Sequence, residues 1–206
     1  MSETRMIIDC DPGHDDALAL LLASHLTEVV GVTTVSGNAP LPEVTRNAQA
    51  LVELMAGEVP VFAGAERALA AAAGEKGRHA THVHGLSGMD GVDLPEVVSE
   101  VQGSAVPFLL EATRAESGLW LAAIGPLTNV AQAIQADTGF VERLAGISIM
   151  GGSTAGGNVT AAAEFNIWAD PDAADVVFRS GARIRLCGLN LTHQLKTSAR
   201  FLDRIG

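Results

Sequence analysis

The chain has 206 residues, 48% of them hydrophobic and 18% charged, and a formal net charge of −11. That length and mixture suit one soluble domain spanning 1–206, and the acidic excess argues against a nucleic-acid partner, because binding a phosphate backbone requires Lys and Arg to displace condensed counterions. No apolar run reaches membrane-spanning length, Met1 to Arg5 lacks a signal-peptide pattern, and only Cys10 and Cys187 are present, so neither a membrane nor a disulfide scaffold is expected and the compartment is read as cytoplasmic.

Met6 to Ile8 reads as a short strand, Asp9 to His14 as a turn, and Asp15 to His25 as a helix with apolar positions at Ala17, Leu18, Leu21 and Leu22. Val29 to Val35 follows as a β-branched strand closing at Ser36-Gly37-Asn38, and Leu41 to Met55 as a helix entered through Pro40 and Pro42. Further strands are expected at Val59–Phe62, Leu119–Ile124, Ile147–Met150 and Ile184–Leu189, and helices at Val106–Ala115, Leu127–Ala136 and Asp172–Arg179. The alanine-rich stretch Ala68–Ala73 and the Gly- and His-rich stretch Gly74–Gly91 read together as a long loop over the site.

The alternation of strand and helix, with abundant small residues and no Tyr, predicts an α/β fold: an open, mainly parallel, Rossmann-like sheet with right-handed crossovers and helices on both faces. In such sheets the ligand crevice lies at the carboxyl ends of the strands. Asp9–Asp16, Ser36–Asn38, Ile124–Asn129 and Met150–Asn158 are therefore expected to converge.

Asp9-Cys10-Asp11-Pro12-Gly13-His14-Asp15-Asp16 places four carboxylates within eight residues at a strand-to-helix junction. Two like charges ~4 Å apart repel by about 4 kcal/mol at a protein-like effective dielectric. A helix N-terminus offsets part of that for Asp15 and Asp16, but it does not account for Asp9 and Asp11 at the strand end. A hard divalent cation does, and carboxylate oxygens suit calcium or magnesium better than zinc. Cys10, set among these acids, reads as packing in preference to a reactive thiol.

The acidic turn resembles the calcium- and ribose-binding signature of the inosine-uridine preferring nucleoside hydrolases. Other segments similar to that family follow in its order: Val35-Ser36-Gly37-Asn38, His84-Gly85, Gly125-Pro126-Leu127-Thr128-Asn129, Met150-Gly151-Gly152, Ala163 to Pro171, and Leu189 to Gln194. The resemblance implies a nucleoside hydrolase fold and hydrolysis of the N-glycosidic bond of ribonucleosides, assisted by calcium. It makes Asp11 the general base and, with Asp16 and the backbone carbonyl of Ile124, a metal ligand. Asp15, Asn38 and Asn166 would meet the ribose hydroxyls, Asn158 and Glu164 its 5′ end, with Met150 packing nearby and His84 beside the nucleobase or the ribose rim. A homo-oligomer is implied as well.

Each of these residues also has a plainer reading. Asn38 and Asn158, after glycines, suit left-handed turns; Glu164 and Asn166 alternate about Phe165 as on a strand; Met150 suits a core; and His82 suits a solvated loop. The family's downstream His-Asp pair, an acid candidate and a further calcium ligand, has no match in the 206 residues, and His193 belongs to a different motif. The chain closes at Phe201 to Gly206 in what reads as a helix, short of the family's usual end. It is therefore expected to bind calcium more weakly than an intact relative and to hydrolyse nucleosides poorly or not at all. The alternative is a catalytically incomplete fragment that binds metal and nucleoside. A haloacid-dehalogenase-type phosphatase is a further rival, opposed by Gly13 and by the scarcity of Lys and Arg near the turn.

Overall fold

A computed structural model describes residues 4–55, 58–72, 75, 77–196, 198–199 and 204. Six parallel strands form one sheet in the order β3-β2-β1-β4-β5-β6. They are β1 (Arg5–Cys10), β2 (Glu28–Thr34), β3 (Val61–Ala63), β4 (Leu119–Ala123), β5 (Leu144–Met150) and β6 (Ile184–Cys187). The helices are α1 (His14–Leu26), α2 (Leu41–Leu54), α3 (Thr81–His84), α4 (Ala105–Ala115), α5 (Thr128–Ala136), α6 (Phe140–Arg143), α7 (Phe165–Ala169), α8 (Pro171–Arg179) and α9 (Leu189–Thr192). The expected α/β architecture is thus present.

Alternation along β1 divides the core between the two faces of the sheet. Ile7 packs with Leu109 of α4, Val130 of α5, Phe140 and Val177 of α8, while Ile8 packs with Leu20 of α1 and Ala48 and Leu51 of α2. Both strand residues are buried on both sides, as a parallel sheet requires. Because the strand order reverses between β1 and β4, the chain leaves their carboxyl ends toward opposite faces and opens a crevice there.

Several local readings are corrected. Within α1, Ala17 and Leu20 are buried, whereas Leu18 and Leu22 are 69% and 60% exposed. A helix as uniformly apolar as Ala17 to Leu22 carries little phase information, so packing against β1 and α2 chooses the inner face. β3 begins at Val61 and β6 ends at Cys187, where Gly188 instead caps α9. Glu164 and Asn166 do not lie on a strand: the Glu164 side chain accepts from the backbone N–H of Ile167 and caps α7, and Asp170 likewise caps α8 through Ala173. Helices as short as α3, α6, α7 and α9 span too little chain to show a period. The helix expected over Phe201–Gly206 lies, apart from Arg204, outside the described residues.

Candidate active site

Asp11 follows the last residue of β1, where Pro12-Gly13 turns the chain into α1 and returns Asp16 toward it. Both carboxylates are buried, 1% and 4% exposed. Asp11 Oδ2 accepts from the backbone N–H of Asn38 at 2.6 Å, and the Asn38 side-chain amide donates to the Asp11 carbonyl at 2.9 Å and to Asp16 Oδ2 at 3.1 Å. Asp16 Oδ2 also accepts from Gly13 N–H at 3.1 Å, while its buried Oδ1 has no partner. Asn38 thus ties the loop after β2 to both acids. None of the described non-glycine residues has a positive φ, so the left-handed turn reading of Asn38 and Asn158 does not hold.

The electrostatics follow from this crowding. Burial, reinforced by the Asp16 charge, holds the Asp11 carboxyl well above the ordinary range. Burial, then the Asp15 charge, pushes Asp16 up to about 8. Asp9 takes no part in the crevice. It is fully buried behind it, accepting at Oδ1 from Thr33 Oγ1 at 2.5 Å and from the Asn129 amide at 2.7 Å, and burial raises it to about 6 against those two hydrogen bonds. The Asn129 amide also donates to the Thr34 carbonyl at 2.9 Å, while its oxygen accepts from Ala65 N–H at 2.8 Å, so one side chain joins β1, β2 and the segment after β3. The Cys10 thiol is pushed well up by burial and then by Asp16, Asp9 and Asp11, consistent with a packing role.

From the other half of the sheet, the Asn166 amide donates to the carbonyls of Ile124 at 2.9 Å and Met150 at 3.0 Å, holding the ends of β4 and β5 together. Glu164 Oε2 accepts from Gly152 N–H at 2.9 Å, and Asn158 Oδ1 accepts from Phe165 N–H at 2.9 Å. The long loop carries α3 over the crevice and brings in His84, whose imidazole burial holds below its ordinary pKa, partly offset by Asp15. The site residues that the family resemblance implied all meet here, without Asp9: Asp11, Asp15, Asp16, Asn38, His84, Ile124, Met150, Asn158, Glu164 and Asn166 line one cavity of about 180 Å³. His82 lines it too, contrary to its reading as a purely solvated residue. Among the described residues no Lys or Arg does, which leaves the expected objection to a phosphate-ester substrate standing.

Sequence reading missed the glycines that make room for Asp11. A Cβ at Gly37 or Gly125 would overlap the Asp11 carboxylate, and one at Gly13 would meet His84 and Asn38. Their motifs were visible, but the need for empty space was not. Gly125→Ala is expected to displace Asp11, destabilise the chain by about 1–3 kcal/mol through overpacking, and weaken divalent-cation binding. Calorimetric titration beside thermal melting checks this, and unchanged cation affinity would refute it.

A divalent cation fits the acids. Two buried carboxylates held above their ordinary range, one with an unpartnered oxygen, lie in the same cavity wall as the Ile124 carbonyl. A hard, oxygen-preferring ion would relieve both their repulsion and their desolvation. Among the described residues no group of three or more His, Cys, Asp or Glu side chains gathers as a metal cage, so the set rests on two carboxylates and a backbone carbonyl.

A parallel α/β sheet with an acidic crevice at its switch point defines an oxygen-rich site for a small polar molecule, and comparison with known proteins makes the class specific. The chain belongs to the inosine-uridine preferring nucleoside hydrolase family, whose model matches residues 6–206. It is 44% identical over 209 residues to uridine nucleosidase 1 of Arabidopsis thaliana, covering 98% of this chain and 61% of that protein. It is 40% identical over 205 residues to the pyrimidine-specific ribonucleoside hydrolase RihA of Shewanella baltica, covering 97% and 63%. Among solved structures, a plant nucleoside hydrolase, the PpNRh1 enzyme, superposes with a TM-score of 0.90 at 36% identity, over 99% of this chain and 65% of that one. The purine-preferring ribonucleoside hydrolase of Gardnerella vaginalis gives 0.88 at 32% identity, over 96% and 64%. The chain therefore spans less than two thirds of the length of each of these relatives.

Proposed function

We propose that this protein hydrolyses the N-glycosidic bond of ribonucleosides to ribose and free base, with Asp11 as general base and calcium as cofactor. The observation that carries the reading is the convergence of Asp11, Asp16, Asn38, Glu164 and Asn166 on one cavity that, among the described residues, no Lys or Arg lines. Departure of a base from ribose leaves an oxocarbenium-like cation, and an acidic wall favours that developing charge. Asp11 and Asp16, with the Ile124 carbonyl, would hold calcium, which when bound supplies orientation and a lowered pKa to the attacking water. Asp11 Oδ2 is held by Asn38 N–H, which leaves Oδ1 to take the water proton, and burial makes this carboxylate a stronger base than a solvated one. Asp15, Asn38 and Asn166 would orient the ribose hydroxyls, Asn158 and Glu164 its 5′ end against Met150, and His84 the base.

Uridine is the first substrate to test, since the Arabidopsis and Shewanella relatives named for uridine and pyrimidine nucleosides are 44% and 40% identical. The unpaired Cys10 and Cys187 support a reducing, cytoplasmic setting, and the exposed Leu18, Leu22 and Leu26 on α1 support self-association of one domain. Reducing-sugar release from uridine and inosine, with calcium or with chelator, tests the activity. Release is expected with calcium and not with chelator. Thermal stabilisation by calcium and uridine without any release would instead establish the binding-only alternative.

A further inference from the structure

α3 lies across the crevice, and its two ends are held in different ways. After His84 the chain is rooted in the half of the sheet that holds β1 and β2: Met89 is buried among Leu20, Ala48 and Leu51, and the Asn47 amide donates to the Ser87 carbonyl at 2.7 Å. Before Thr81 the chain rests on α7. Ala80 is buried in a small cluster with Phe165 and Ala169, against Trp168. Its carbonyl accepts from the N–H groups of Val83 at 2.8 Å and His84 at 3.1 Å, so α3 starts from a residue seated on α7. A helix of four residues has no stability of its own in water, and these two seats hold His82 and His84 over the cavity.

The seat on α7 is small, because Ala80 supplies a single methyl group. Arg78 completes it. Its Nη1 donates to the Trp168 carbonyl at 2.5 Å, and its guanidinium carbon lies 4.8 Å from the centroid of the Trp168 ring. That carbonyl belongs to the last turn of α7, where no N–H of the same helix reaches it, so it needs an outside donor. A planar guanidinium can cover the ring and bond the carbonyl of one residue together, which the compact ammonium of lysine does not reproduce. Among the described residues Arg78 forms no ion pair with a carboxylate, so its contacts on α7 are what fix it. On its other side α7 is held by the Asn166 amide, which donates to the carbonyls of Ile124 and Met150. An unbroken run of contacts thus leads from the ends of β4 and β5 through α7 and Arg78 to α3.

We propose that Arg78 is a positioning residue: by clasping Trp168 it seats α3 on α7, and so sets the affinity for the part of a bound nucleoside that His82 and His84 face. The identity of that ligand rests on the nucleoside-hydrolase reading; the seating of α3 does not. Amide hydrogen exchange of the ligand-free chain reads the seat directly, because the N–H groups of Val83, His84 and Gly85 close α3 onto Ala80 and Thr81. Arg78 is exposed, so its loss spares the core. In Arg78→Met and in Arg78→Lys these amides should exchange roughly tenfold faster, the worth of one stacked and hydrogen-bonded guanidinium, while those of α2 and the melting temperature stay as in the wild type. Apparent affinity falls with the fraction of chains in the competent form. KM for uridine should therefore rise at least about twofold and by no more than the exchange does, with kcat within about twofold, since saturating substrate draws α3 back onto α7. Unaltered exchange in Arg78→Met, wild-type exchange in Arg78→Lys, or a loss confined to kcat overturns the proposal. The expected exchange patterns in a chain that releases no ribose would support the seat and count against the hydrolase reading alone.

Discussion

Asp11→Asn is expected to lower calcium-dependent ribose release from uridine by roughly 10²–10⁴-fold, the range for losing a positioned general base. The substitution preserves shape, and the side-chain oxygen can still accept from Asn38 N–H, the 2.6 Å contact that orients this group. It also removes one of two buried like charges, so the metal-free variant should melt no lower than the wild type. Loss of turnover without loss of stability separates a chemical role from a structural one. Initial rates at saturating calcium beside thermal melts decide it, and a loss smaller than tenfold would mean that another group takes the proton.

The metal-free chain should lose stability as pH rises toward 8, and calcium should correct this. The folded state raises Asp11 well above the ordinary carboxylate range and Asp16 up to about 8, both chiefly through burial. Between the unfolded carboxylate pKa of ~3.9 and these folded values, the native chain binds protons that the unfolded chain has released. Stability from these groups is therefore full below the unfolded value and is lost as pH rises through the folded ones. Calcium at ~100 times its Kd should restore about 2.7 kcal/mol, or ~5–10 °C in melting temperature for a chain of this size. The gain should be larger near pH 8 than near pH 5, because the ligands must be deprotonated to bind. Asp16→Asn should flatten the metal-free pH profile and abolish most of the calcium shift. A profile that rises with pH in chelator would show that other groups outweigh this pair.

The positioning of Asp9 shows where sequence reading stopped. It shares the strand end with Asp11, and spacing alone grouped the two together. Their fates diverge because Asp9 finds Thr33 and Asn129, 24 and 120 residues away, and is sealed behind the crevice, whereas Asp11 lies just past the point where β1 and β4 send the chain to opposite faces. Glu164 and Asn166 show the same limit from the other side: their alternation suggested a strand, but the capping bond to Ile167 N–H and the amide contacts to Ile124 and Met150 make a short helix that clamps two strand ends.

What the sequence determined by itself was local and periodic. The six strands and the longer helices, the parallel sheet they imply and the crevice at its carboxyl edge could be read from hydrophobic pattern and turn chemistry, whereas most of the residues gathered there were legible only through the resemblance to the family. Those signals depend on neighbours a few residues apart. The tertiary structure alone decided which face of α1 is buried, which acids meet in the crevice, which glycines must stay bare beside Asp11, and that the rings of His14 and His84 meet at its rim. Each of these depends on side chains brought together from distant parts of the chain, where burial and the need to satisfy every polar group select one arrangement among those the local pattern allows.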